Sequence, residues 1–191
     1  MTDPMTLKLG ERRGLPDEIA LLRAAFPKDT WRAHANFGQL ADFWLHVHAS
    51  LRHEGAEVSR IVDAFRARQI DTARFQQGFV TGLNHFLQHL DQHHRIEDHA
   101  YFPKFRQLDE RLVVGFDLLE GDHALIHERL VATVEQARAL LQALPGPDAA
   151  HAIDGYAVQM QRFIDLLLAH LADEEDLVIP AILQHGERAL G

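Results

Sequence analysis

Two stretches of this chain end alike. His93-His94-Arg95-Ile96-Glu97-Asp98-His99-Ala100-Tyr101-Phe102-Pro103 lines up with His170-Leu171-Ala172-Asp173-Glu174-Glu175-Asp176-Leu177-Val178-Ile179-Pro180 at an offset of 77 residues. Both copies read H-x-x-x-E-(D/E), then two aromatic or aliphatic residues before proline. A histidine and a glutamate four residues apart share one helical face, and proline cannot continue a helix past its own position without loss. The repeat therefore predicts two related helical hairpins packed about a pseudo-twofold axis.

The rest of the chain fits that frame. Between Pro16, Pro27, Gly38, the 69–72 stretch, Pro103, the 145–148 cluster and Pro180 lie long segments with helical periodicity and few β-branched runs. The spacing predicts a short helix at 17–26, then helices over 38–69, 72–101, 110–143 and 149–178. Asp71 or Thr72 is placed to cap the second long helix and Asp148 the fourth. Helices of roughly 30 residues are about 45 Å long. Joined by short loops, four of them make an all-α, antiparallel up-down four-helix bundle over residues 38–180. Residues 1–37 then form an N-terminal arm, and 181–191 a C-terminal tail.

Stepping about 100° per residue sorts the polar side chains onto faces. On the second helix His93 and Glu97 fall inside the stripe Phe75, Phe79, Leu83, Phe86, Leu90. On the third, His123 and His127 lie in or beside the stripe through Phe116, Leu119, Ile126 and Leu130. On the fourth, His170 and Glu174 continue Ile153, Tyr156, Met160, Phe163 and Leu167. The first helix is less clean, with His48 at the margin of a face containing Trp44 and Leu51. Reflection through the loops puts His48 level with His93, His170 level with His123, and His127 level with His93. Seven residues thus converge on one layer: His48, His93, Glu97, His123, His127, His170 and Glu174. Buried carboxylates among imidazoles cost several kcal/mol per charge unless compensated. A pair of cations supplies that compensation.

Composition narrows the chemistry. The 191 residues include 14 histidines and no cysteine, which excludes disulfides, thiolate zinc sites and iron–sulfur clusters and leaves only N and O ligands. A formal charge of −9 without a basic stripe argues against nucleic acid. No run of about 18 apolar residues and no signal-like leader point to a cytoplasmic protein without a membrane partner. His94 and His99 sit off the stripe as candidates for supporting hydrogen bonds. His89 reads as partly exposed surface, and the run after Glu174 reads as a solvated helix end.

His93-x-x-x-Glu97 followed by Tyr101-Phe102-Pro103, Asp122-His123-x-x-x-His127 and His170-x-x-x-Glu174 resemble the hemerythrin-like (HHE cation-binding) family over residues 38–180. The resemblance implies an up-down bundle holding two non-haem iron ions, oxo- or hydroxo-bridged, with zinc or manganese ranked behind iron. It assigns the five histidines and two carboxylates above as ligands. Oxygen-carrying members place an Asp five residues after the last histidine. Here Glu174 stands at i+4, with Glu175 as the i+5 alternative. A ferritin-like site needs two Glu-x-x-His motifs, and only Glu120-x-x-His123 has that spacing.

The function implied is binding or sensing of O2 or a related small ligand such as NO or peroxide. Iron buffering or sensing, or a diiron oxidoreductase acting on peroxide or NO, are the alternatives. No general acid/base pair or nucleophile is legible beyond the metal residues, so metal and ligand binding is expected ahead of turnover. With no signalling domain expected, a sensor would act through a homodimer or another protein partner.

Overall fold

The computed structural model describes residues 7–190, and among these every regular element is helical. In chain order they are α1 (Gln39–Arg66), α2 (Thr72–Ile96), α3 (Phe102–Leu108), α4 (Val113–Ala143) and α5 (Ala149–His185). Short 3-10 segments cover Lys28–Ala33, Glu110–Leu112 and Glu187–Leu190, and a π-helical turn spans Glu97–Tyr101. Asp71 caps α2 as expected, its Oδ1 accepting the Arg74 N–H at 2.8 Å.

Three expected boundaries differ. Residues 17–26 form successive turns instead of a helix. The second long helix does not run unbroken to 101. It widens into the π turn, and Pro103 sits in the first turn of α3, where its missing N–H costs nothing. The last helix runs through Pro180 to His185. Leu177, Val178, Ile179, Ala181, Ile182 and Leu183 are all buried there, so packing on both sides of the proline outweighs the one lost backbone hydrogen bond.

The chain divides into two compact units. The first comprises the chain through Ala49, His93–Ala124, and the chain from Leu168 onward. Its core joins Leu15, Ile19, Ala20, Leu22 and Trp31 of the arm to Trp44, Phe102, Phe105, Phe116 and the end of α5. The α4 backbone comes close at Gly115, where a Cβ would stand 2.7 Å from Leu177 Cδ2. The second unit, 50–92 with 125–167, has an aromatic interior. Phe65 stacks on Phe75 at 4.4 Å and Phe75 on Phe79 at 5.0 Å, while Phe79 meets Tyr156 edge-on and Phe86 packs with Phe163.

Candidate metal centre

Among the described residues the buried histidines and glutamates lie in the first unit, and all but Glu175 sort into two groups. The donor atoms of His48, His93, Glu97 and Glu174 lie within 4.8 Å of one another, as do those of His94, His123 and His170. Within and between the groups the spacings are short. His93 Nε2 is 3.1 Å from Glu97 Oε1, and His48 Nε2 is 3.2 Å from Glu174 Oε1. His123 Nε2 is 3.0 Å from His170 Nε2. Two ligands on one ion with bonds of about 2.1 Å stand about 3.0–3.4 Å apart, which is the range these pairs occupy.

Each glutamate also reaches the other group. Glu97 Oε2 is 3.6 Å from His123 Nε2, and Glu174 Oε2 is 3.2 Å from His170 Nε2. Both carboxylates therefore stand between the donor sets, one oxygen toward each.

Carboxylates face the outer nitrogens, hydrogen-bonded at His123 and His48 and in a longer ion-pair contact at His170. Asp98 Oδ1 lies 2.7 Å from His123 Nδ1, Glu175 Oε1 lies 3.1 Å from His48 Nδ1, and Asp122 Oδ2 lies 3.5 Å from His170 Nδ1. A carboxylate there favours the proton on Nδ1 and leaves Nε2 as a lone pair facing inward. Trp44 Nε1–H donates to Glu174 Oε1 at 2.6 Å and fixes that carboxylate. Rings close the walls. His94 stacks on His123 with centroids 3.9 Å apart, and Phe102 lies at 5.3 Å on His123.

The site fits cations on its unsatisfied chemistry. His48 Nε2, His93 Nε2, His94 Nε2, both Glu97 oxygens and Glu174 Oε2 are buried without a hydrogen-bond partner. Such atoms cost on the order of 1–3 kcal/mol each when left unmade, and they point where ligands to a metal would point. Two imidazole Nε2 atoms 3.0 Å apart likewise need a proton or a metal between them.

Protonation follows the same logic. Burial opposes charge on His170, but the Asp122 and Glu174 carboxylates outweigh it and raise its pKa to about 9. His48 is raised against burial by Glu174 and Glu175. Burial lowers His93 to about 3 and His94 well below its ordinary value, and it lowers His123 despite Asp98. Burial, together with the neighbouring Glu174, raises Glu97 well above the usual carboxylate range, whereas His48 and His170 hold Glu174 far below it against burial. The upward shifts of His48, His170 and Glu97 all favour positive charge or a proton at the place where cations would fit.

The structure brings together His48, His93, Glu97, His123, His170 and Glu174 from the sequence-predicted set. It does not bring His127 to them. That ring is 56% exposed, with Nδ1 3.3 Å from Asp91 Oδ1, and it belongs to neither donor group. His94 stands among the donors instead. Reflection through a turn near 110 assumed a plain hairpin, but the chain between α2 and α4 makes the π turn, α3 and a 3-10 segment, so the level assigned to His127 does not follow. A signal for His94 was present in the repeat, where it pairs with Leu171, a fully buried residue. The acidic run after Glu174 is not a solvated helix end. Glu175 holds His48, and Asp176 pairs with Arg23 at 3.2 Å and Lys28 at 2.8 Å.

Residues 39–182 match the hemerythrin HHE cation-binding domain. The chain belongs to this family and is a metal-binding protein of hemerythrin-like, all-α bundle fold. No curated protein and no solved structure matches it. Among the described residues no helix is long and apolar enough to cross a membrane.

Proposed function

We propose that the chain would hold two iron ions, one by His48 and His93 and the other by His94, His123 and His170, with Glu97 and Glu174 shared by both groups, and that it binds O2 or a related small ligand there. The carrying observation is that each glutamate directs one oxygen to each donor group. Two imidazoles on one side and three on the other leave the first side with fewer protein ligands, the place for an exogenous molecule. N and O donors without thiolate suit iron, with zinc and manganese as competitors. Bound iron would supply a redox-active Lewis acid to such a ligand.

The protein's own part is orientation and exclusion of water. Asp98, Asp122 and Glu175 face the outer imidazole nitrogens, Trp44 steadies Glu174, and Phe102 and Phe116, both fully buried, keep the surroundings dry. The test is the absorption spectrum of iron(II)-loaded protein, recorded without air, in air, and after degassing. A band that appears with O2 and fades on its removal is expected. A spectrum indifferent to O2, azide and NO would overturn ligand binding and leave iron buffering. Catalytic loss of peroxide that disappears in Glu174→Ala would move the assignment to a diiron oxidoreductase.

A further inference from the structure

One cation is buried beside the site, and it comes from outside the residues that match the family. Arg12 belongs to the N-terminal arm, yet its side chain is only 3% exposed. Its Nη1 donates to Asp122 Oδ1 at 3.0 Å and its Nη2 to Asp122 Oδ2, so the guanidinium grips that carboxylate with both prongs. Its Nε donates to Asp173 Oδ2 at 2.7 Å, and Nη1 also donates to the Leu7 carbonyl at 2.7 Å. The other Asp173 oxygen accepts the Leu15 N–H at 3.0 Å. The two aspartates immediately precede His123 and Glu174 in the chain. Asp122 Oδ2 is also the atom that faces His170 Nδ1 at 3.5 Å.

A planar fork bound to both oxygens of a carboxylate fixes its plane as well as its position, which a point charge does not do. Asp122 so fixed still has a free lone pair on Oδ2, and His170 Nδ1 faces that oxygen at 3.5 Å, an ion-pair contact whose direction the fork sets.

We propose that Arg12 is a positioning residue for the all-imidazole donor group. By holding Asp122 it keeps His170 with Nε2 aimed at His123 and Glu174, so the arm is a working part of the metal centre. This rests on the reading of His94, His123 and His170 as one of two metal sites. Loss of a partner that orients a ligand costs about 10–100-fold in metal affinity. The effect should fall on one ion of the two.

The test is release of iron(II) to a ferrous chelator under anaerobic conditions, comparing wild type with Arg12→Gln, Arg12→Lys and Ile19→Ala, with melting temperature recorded for each. Ile19 belongs to the arm's apolar core and its side chain has no hydrogen bond to give Asp122, so its truncation loosens the arm and spares the fork. The expected result is slow release of two ions from wild type. In Arg12→Gln one ion should leave about 10–100-fold faster and the other at the wild-type rate. Arg12→Lys, which keeps charge and loses the fork, should give an intermediate split, and Ile19→Ala a lower melting temperature with no split. Unchanged rates in both Arg12 variants, equal acceleration of both ions, or the same split in Ile19→Ala would overturn the proposal. Wild-type protein holding fewer than two ions would overturn the underlying two-metal reading, and this proposal with it.

Discussion

The two donor groups both draw on α2 and α5 but differ in charge. The group of His48, His93, Glu97 and Glu174 carries both carboxylates, whereas His94, His123 and His170 form an all-imidazole group that borrows an oxygen from each. The difference teaches where the protein places its compensation. The carboxylate-rich group draws protons onto His48 and Glu97 when no metal is bound. The imidazole group is charged only at His170, through Asp122 and Glu174. Both groups draw on Glu97 and Glu174, so the two sites of unequal charge depend on the same two carboxylates.

Removing a shared carboxylate breaks the comparison most severely. Glu174→Ala should abolish stable binding of both ions and leave His48 with Glu175 alone and His170 with Asp122 alone, at a cost of about 1–3 kcal/mol in the metal-free protein. Iron content and a denaturant melt check both parts. Loss of one ion with the other retained would show that the groups are independent.

His94→Ala should remove one ion of two and leave the carboxylate-rich group filled, as read by iron per chain after gel filtration. The opposite pattern would mean that His94 is only a stacking partner for His123.

The metal-free protein should also respond to pH in a way the loaded protein does not. His170 has a folded pKa of about 9 against an ordinary 6.5. Its stabilising contribution, at most about 3 kcal/mol, is complete below 6.5 and lost as pH rises through 9. His48 and Glu97 are raised as well and act in the same sense. His93 and His94, held neutral by burial, instead lose stability as pH falls below 6.5, where the unfolded chain takes up their protons. Stability of the metal-free protein should therefore peak near 6.5. With metal in place of the protons the decline toward pH 9 should vanish, which melts across pH 5–10 with and without iron would reveal.

Smaller effects follow from groups that only orient. Glu175→Gln should weaken one ion by about 10–100-fold through His48, and leave the all-imidazole group unchanged. His127→Ala, on an exposed ring, should change stability by less than about 0.5 kcal/mol with both ions retained. A lost ion in that variant would restore His127 as a ligand.

Much of the centre was legible in the sequence because its donors repeat with helical spacing. His93, Glu97, His170 and Glu174 came from the duplicated motif, and His48 and His123 from the apolar stripes they share. What was not legible depended on departures from a uniform helix. The π turn at 97–101 and the short α3 upset the level assigned to His127, whereas His94 was passed over because it sits off the apolar stripe of α2. The arm escaped for a different reason. Residues 17–26 form turns without a period, and nothing local says that Arg12 reaches Asp122 and Asp173, 110 and 161 residues away.

Anomalous diffraction at the iron edge from crystals of loaded protein would show directly whether two ions share the two glutamates. Two peaks are predicted, one bounded by His48 and His93, the other by His94, His123 and His170, both within bonding reach of Glu97 and Glu174. A single peak, or a peak ligated by His127 in place of His94, would contradict it.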